Sequence, residues 1–438
     1  MEAYVLLMLP LLMLVIFTGF PVALAMMAVS LVFGFYRYGD AAVYLFATEV
    51  HDVAGNYVLA SIPLFVFMGS LLESTGIAER LFKGIHVWTH KVPGGLAVGT
   101  VLMGVFFAMS SGVVGATETV IGLLALPIML SYGYSKSLIS GTVCAGGSLG
   151  TAIPPSVVVI VLAPVVEISV GALFAGILFP GLLMAGTFIL YIMIRAMLDP
   201  ESAPRKTSEV EELTLAEKLR LTITGLIPPI FLIFTVLGTI LLGWATPTEA
   251  AACGAVGTMF LTFLAGNLKM NLVWKAMKTT MVVSTMILTI LVAGHIFSAI
   301  FVALGGVRVT QDMIDAANLG PWVVLAIILL IAFIGGFILD LVSVVLILVP
   351  IAVPIISGLG FDLIWFSVLF LIVLQTGYLS PPMAPSIFYL RAIAPSEIKL
   401  SHMFRGVVPF IACQVICLIL VIMFPGIALW LPDALFSN

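Results

Sequence analysis

The stretch LQTGYLSPPMAPS, residues 374–386, lies in a run otherwise apolar enough for a membrane helix, yet it carries Gln375, Ser380 and the pair Pro381-Pro382. A second Pro-Pro pair occupies an equivalent setting in GGSLGTAIPPS, residues 146–156. Deep in a membrane span, such a pair removes two amide donors and strands the carbonyls of the preceding turn. Lipid cannot satisfy those groups, and each costs on the order of several kcal/mol. A break of this kind therefore lines a cavity or binds something.

The rest of the chain makes the membrane reading firm. Its 438 residues are 62% hydrophobic and only 9% charged, and apolar runs near the ~20 residues a spanning helix needs recur from end to end. A net charge of −4 with no basic stripe excludes nucleic acid as a partner, and the lipid bilayer takes its place. Four cysteines, Cys144, Cys253, Cys413 and Cys417, lie in apolar segments without the companion ligands of a metal site, and read as small core residues. The opening MEAYVLLMLPLLMLVIF has Glu2 and no Lys or Arg, so it lacks a signal peptide's positive start and reads as the first span. The charged stretch RAMLDPESAPRKTSEVEELTLAEKLRL, residues 195–221, divides the chain near its midpoint as a solvated linker.

Sliding the sequence by 227 residues superposes LPIMLSYGYS (126–135) on VPIISGLGFD (353–362), and Gly150 with Pro154-Pro155 on Gly377 with Pro381-Pro382. Shifts of 226 to 230 pair Pro21 with Pro247, Pro93 with Pro321, Phe174 with Phe404 and Gly176 with Gly406. An internal repeat of this reach is typical of secondary transporters. The first half contains crossings at about 3–19, 21–38, 60–76, 137–165 and 171–195, plus a re-entrant hairpin over 94–130 with its tip at Ser110 to Gly115. The matching hairpin covers 322–357, with its tip from Gly335 to Asp340. Five crossings is odd, so the second half is inverted.

Charge placement agrees. With the N-terminus outside, fifteen of the 17 Lys and Arg residues fall in cytoplasmic loops, and only Arg37 and Arg308 fall outside. The segments GIAERLFKGIHVWTHKVP and GGVRVTQDMIDAANLGP are expected to be amphipathic arms on opposite membrane faces. The fold class is thus an all-α polytopic membrane protein, an inverted repeat of about five transmembrane helices plus one re-entrant hairpin each. Its parts are scaffold helices and first arm (1–93), hairpin 1 with the broken helix 137–165 (94–195), linker (196–221), scaffold helices and second arm (222–321), and hairpin 2 with the broken helix 362–394 and the last helix (322–438).

Freed carbonyls with Ser and Thr hydroxyls are hard oxygen ligands suited to Na⁺, while amides at a half-helix N-terminus suit an anionic substrate. Each broken helix facing a hairpin tip accordingly reads as an ion-and-substrate site; the bland alternative is a packing kink. Asp340 reads equally as an ion ligand or proton carrier and as an N-cap of the hairpin's second limb. Glu118, eight residues past Ser110 and so about 12 Å along a helix, is expected toward the cytoplasm rather than at the site. Arg391, ten residues beyond Pro381, reads as a snorkelling interface anchor rather than a carboxylate clamp. His295 reads as a hydrogen-bonded core residue. An intramembrane enzyme finds no support, since no H-E-x-x-H is present and Asp340 has no partner motif. A channel would also expose carbonyls, but an inverted repeat argues for alternating access.

The segments GYSKSLISGTVCAGGSLGTAIPPS, ATPTEAAA, GGFILD, ILVPIAVPI and SPPMAPSIFYLRAIAP resemble the DctM-type large membrane subunit of TRAP (tripartite ATP-independent periplasmic) transporters, across essentially the whole chain. The resemblance implies an elevator, in which a transport domain of hairpins and broken helices slides against a scaffold, with Na⁺ symport of a small organic acid. It also implies a small four-helix DctQ-type membrane subunit, a periplasmic DctP-type binding protein, and a bacterial inner-membrane location with both termini periplasmic. Carried over residue by residue, one Na⁺ would use Ser110 or Ser111 with the carbonyls of Gly150, Ile153 and Pro155. A second would use Gly336, Gly377, Ser380 and Met383, and substrate would lie near Thr151, Pro154, Gln375 and Pro381. The wording QTGYLSPPMAPS is similar to the branch labelled for mannitol, chloroaromatic acids or 2-oxo acids. A single-chain Na⁺/dicarboxylate-type symporter without a binding protein is the alternative.

Overall fold

The computed structural model describes residues 2–112, 115–204 and 214–436, without the side chains of Glu2, Ala3, Ser111 and Ala116, and every regular element among them is helical. In the first half, α1 (Met8–Phe17), α2 (Val22–Tyr38), α3 (Ala41–Gly55) and α4 (Ser61–Ser74) precede the arm α5 (Ile77–Thr89). Next come α6 (Gly95–Ser111) and α7 (Ala116–Ser131), then α8 (Lys136–Ser148), α9 (Val157–Val166) and α10 (Val170–Leu198). In the second half, α11 (Leu215–Ile233) runs through a π-helical stretch, Phe234–Gly238, into α12 (Thr239–Leu241), followed by α13 (Pro247–Leu264) and the long α14 (Met270–Ala303). The arm α15 (Gly306–Ala316) leads to α16 (Pro321–Ile338), α17 (Leu341–Gly358), α18 (Leu363–Leu379), α19 (Pro385–Ile393), α20 (Leu400–Met423) and a final α21 (Gly426–Phe436).

Local chemistry sets these boundaries. Ser135 caps α8 by accepting from the Leu138 amide at 3.3 Å, and Asp362, 227 residues later, caps α18 by accepting from the Trp365 amide at 2.8 Å. Reciprocal capping boxes, Thr214 with Glu217 and Thr246 with Glu249, start α11 and α13. The first of these lies inside the 196–221 stretch, so α11 begins earlier than the sequence-based linker boundary.

Seven of the described helices are long and apolar enough to cross a bilayer by length and composition. At 34 residues, α14 is about 51 Å long, well beyond the ~30 Å hydrocarbon layer. It packs on α2, α3 and α4, and on α17. Its first-half counterpart is split at Asn56, whose side chain accepts from the Val58 amide at 3.1 Å and separates α3 from α4. The arm α5 packs between α11 and α6, pinned by a 2.8 Å hydrogen bond from Trp88 Nε1 to Thr222 Oγ1. An exposed Glu79–Lys83 pair at 2.7 Å marks its solvent side, and Lys83 holds the Glu79 carboxyl below the usual range.

Both hairpins form. The second turns more tightly than expected: Gly335 to Ile338 belong to α16, and only Leu339 and Asp340 connect it to α17. At the first tip, Val113, Val114 and the side chain of the candidate ligand Ser111 lie outside the described residues.

Candidate functional site

Both breaks fall where the proline pairs put them. Between α8 and α9 the chain makes a 3-10 turn over Leu149–Thr151 and then passes through Pro154-Pro155. Between α18 and α19 it turns through Ser380 to Ala384. Both Pro-Pro bonds are cis. The surroundings differ, however: Pro154 and Pro155 are buried, whereas Pro381, Pro382 and Met383 are exposed.

The first break is closed by its hairpin. Gly112 ends α6 at φ +65°, and a Cβ there would lie 2.7 Å from the Pro155 carbonyl oxygen, so only glycine lets the tip approach this closely. The Val157 amide donates to the Gly112 carbonyl at 3.2 Å, fastening the tip to the start of α9. Among the described residues no amide donates to the carbonyls of Gly150, Ile153 or Pro155. Ser110 is buried, and its hydroxyl donates to the Phe106 carbonyl at 2.7 Å, leaving oxygen lone pairs available.

At the second break Gly336 and Gly377 bring α16 and α18 together: a Cβ on Gly377 would sit 2.7 Å from the Phe333 carbonyl and 3.1 Å from the Gly336 Cα. The turn already occupies part of the expected ligand set. The Gly377 carbonyl accepts from the Ser380 amide at 2.9 Å, and the Ser380 carbonyl accepts from Ala384 at 3.1 Å. The Ser380 hydroxyl is buried and donates to Thr376 at 2.6 Å, while Met383 is 45% exposed.

The four residues expected near substrate do not form one surface. Thr151, Pro154 and Gln375 are buried, and Pro381 is exposed. Thr151 donates to the Ser148 carbonyl at 2.9 Å, and Gln375 donates to the Ser148 hydroxyl at 3.2 Å. The open volume lies beside them, a cavity of about 500 Å³ bordered by both hairpin tips, both second half-helices and α14. Gly112, Val157, Asp340, Tyr378 and Tyr389 are among its walls. The tyrosines flank the second proline pair in sequence, and that placement is the signal that could have marked them.

Glu118 corrects the expectation drawn from distance along the helix. Its side chain is fully buried, pressed against Gly147 of α8, where any Cβ would lie 2.0 Å from the Glu118 Cγ. Its Oε2 accepts from the Tyr378 hydroxyl at 3.2 Å, and Oε1 has no hydrogen-bond partner within bonding geometry among the described residues. Asp340 acts as the N-cap of α17, accepting from the Ser343 amide at 3.0 Å and from its hydroxyl, while also bordering the cavity. Arg391 donates to the Ile398 carbonyl at 3.1 Å rather than reaching the cavity. His295 is paired with Glu49 at 3.8 Å.

Comparison with known proteins agrees with this architecture. Residues 9–427 match the family described as "Tripartite ATP-independent periplasmic transporter, DctM component". The C4-dicarboxylate TRAP transporter large permease protein DctM of Pseudomonas aeruginosa is 29% identical over 388 residues, covering 88% of this chain and 89% of that protein. The sialic acid TRAP transporter large permease protein SiaM of Vibrio cholerae is 28% identical (95% and 96% covered). The ectoine/5-hydroxyectoine permease UehC of Ruegeria pomeroyi is 29% identical (96% of each covered). The crystal structure of the Alcanivorax borkumensis YdaH transporter shares the fold, with a TM-score of 0.60 at 18% identity over 89% of each chain.

Proposed function

Because the chain belongs to the DctM-component family of tripartite ATP-independent periplasmic transporters, we propose that it is the large subunit of a Na⁺-coupled elevator for a small organic solute. In this reading α6–α10 and α16–α20 move as one body against α1–α4 and α11–α14. Na⁺ is cargo: Ser110 and the carbonyls of Gly150, Ile153 and Pro155, which no amide of the described residues reaches, hold one ion. Gly336, Gly377, Ser380 and Met383 hold another, with Gly377 and Ser380 using whatever lone pairs the turn leaves. The observation that carries the reading is the closure of the Gly112 tip onto a break in which the carbonyls of Gly150, Ile153 and Pro155 receive no amide hydrogen bond from the described residues. Bare peptide oxygens in a buried site call for a cation.

The tripartite architecture named for the family supplies the partners, a DctQ-type small membrane subunit and a DctP-type periplasmic protein that delivers the solute. The protein sits in the bacterial inner membrane, and the excess of Lys and Arg in the loops assigned to the cytoplasm supports a periplasmic position for both termini. Reconstitution of the complex with its binding protein tests this directly. Solute should accumulate under an inward Na⁺ gradient and saturate, and accumulation should stop when choline replaces sodium. Uptake that persists in choline removes the coupling; unsaturable current indicates a channel. Full uptake by this chain alone, without a small subunit, indicates the single-chain symporter.

A further inference from the structure

The two limbs of the first hairpin are fastened to different breaks. α6 ends on the first: a Cβ at Gly112 would lie 2.7 Å from the Pro155 carbonyl oxygen, and the Val157 amide donates to the Gly112 carbonyl at 3.2 Å. Gly115, three residues on, opens α7, and the ring of Tyr389 from α19 covers it, its Cζ 2.7 Å from where a Cβ would stand. Glu118 follows three residues later and lies between both broken helices. Its side chain presses on Gly147 of α8, three residues before the candidate ligand Gly150, and its Oε2 accepts from the Tyr378 hydroxyl of α18 at 3.2 Å. Tyr378 in turn stands between Gly377 and Ser380, both proposed for the second ion.

These ties depart from the repeat. The 227-residue offset puts Val342 and Val345 in the places of Gly115 and Glu118, and Thr151 and Leu162 in the places of Tyr378 and Tyr389. Val345 is fully buried, so an apolar side chain fills the equivalent place and packing does not require a carboxylate there. Burying an acid costs desolvation that a valine avoids. We infer that Glu118 and Tyr389 are positioning residues that couple the two ion sites. A cation at the first break holds the Gly112 tip down, and α7, set by that tip, holds Tyr378 and the turn from Gly377 to Ser380 in the form that takes the second. A tip lifted from Pro155 carries Gly115 and Glu118 with it and loosens that turn. Coupling is reciprocal, so the second ion favours the first to the same degree. This coupling rests on the two-ion reading above.

Hydrogen–deuterium exchange of the purified membrane complex in nanodiscs tests it, with sodium as the probe and choline keeping the ionic strength constant. Peptides covering 146–157 and 375–385 report the two breaks separately. Both should gain protection over the same sodium range, with a Hill coefficient above about 1.5 for two sites. Tyr389→Ala should bring the coefficient to about 1 and shift the first-break midpoint about fivefold or more to higher sodium. Glu118→Leu should do the same, while Tyr389→Phe, which keeps the ring, and Glu118→Gln, which keeps an acceptor for Tyr378, should retain the steep response. A merely structural role would raise exchange at every sodium concentration and leave the steepness unchanged. That result, or separate midpoints at the two breaks of the unaltered protein, overturns the coupling while the two ion sites stand. Absence of sodium protection at both breaks removes the two-ion reading and the coupling with it.

Discussion

Gln375 Nε2 donates to Ser148 Oγ at 3.2 Å, and the two residues are 227 apart, the offset that superposes the halves of the sequence. When equivalent positions of an inverted repeat touch each other, the contact lies on the pseudo-two-fold axis. The bond therefore marks where α8 and α18 cross, six residues before each proline pair. Among the described residues Gln375 Oε1 has no partner, so Ser148→Ala would leave the buried amide with none of its bonds to them. The expected cost is about 1–3 kcal/mol, read as a lowered thermal midpoint of the purified protein. An unchanged midpoint would mean that the crossing does not depend on this bond.

The close approach of α16 and α18 makes a second expectation. A methyl group on Gly377 would lie 2.7 Å from the Phe333 carbonyl, and one on Gly336 would lie 3.0 Å from the Leu374 carbonyl. These neighbours are backbone, so relief requires the helices to separate. Gly377→Ala should destabilise by about 1–3 kcal/mol and should abolish any sodium-dependent rise in the unfolding temperature that comes from the second break. Gly336→Ala should do the same more mildly. If Gly377→Ala retains the full sodium effect, the second ion lies elsewhere.

The proline pairs and the repeat were legible, because a proline acts through its own backbone and a constant offset of 227 residues shows in the sequence itself. The cavity was not, because its walls are assembled from distant segments. Glu118 and Tyr378 are 260 residues apart, and measuring along one helix cannot show that α7 leans over Gly147. The absence of a side chain at Gly147 makes room for that approach, and a glycine in an apolar run announces no particular neighbour. The early start of α11 was missed for the opposite reason. Its TLAE capping box was visible, but Lys218 and Arg220 made the first turn look like linker.

The Glu118–Tyr378 contact separates a hydrogen-bonding role from a charged one. Glu118→Gln keeps the size and an acceptor oxygen, so the unfolding temperature should change little at neutral pH. Glu118→Leu strands a buried tyrosine hydroxyl, at a cost of about 1–3 kcal/mol. Tyr378→Phe in the Glu118→Leu background removes the stranded donor and should recover part of the loss. If Gln and Leu are equally damaging in thermal melts, the carboxylate does more than hold Tyr378.

Motion of one helical group against the other can be tested where α14 meets α17. A Cβ at Gly294 would lie 2.5 Å from the Cβ of Leu346. A disulfide holds its Cβ atoms about 3.5–4.5 Å apart, so cysteines at these two positions need only ease apart to cross-link. The exposed Cys253 would be replaced first, since Cys144, Cys413 and Cys417 are buried. Oxidised Gly294→Cys/Leu346→Cys protein should lose uptake, and reductant should restore it, because α17 could no longer slide along α14. A cross-linked transporter working at the reduced rate would show that these helices keep the same register throughout the cycle, which an elevator built on this division cannot do.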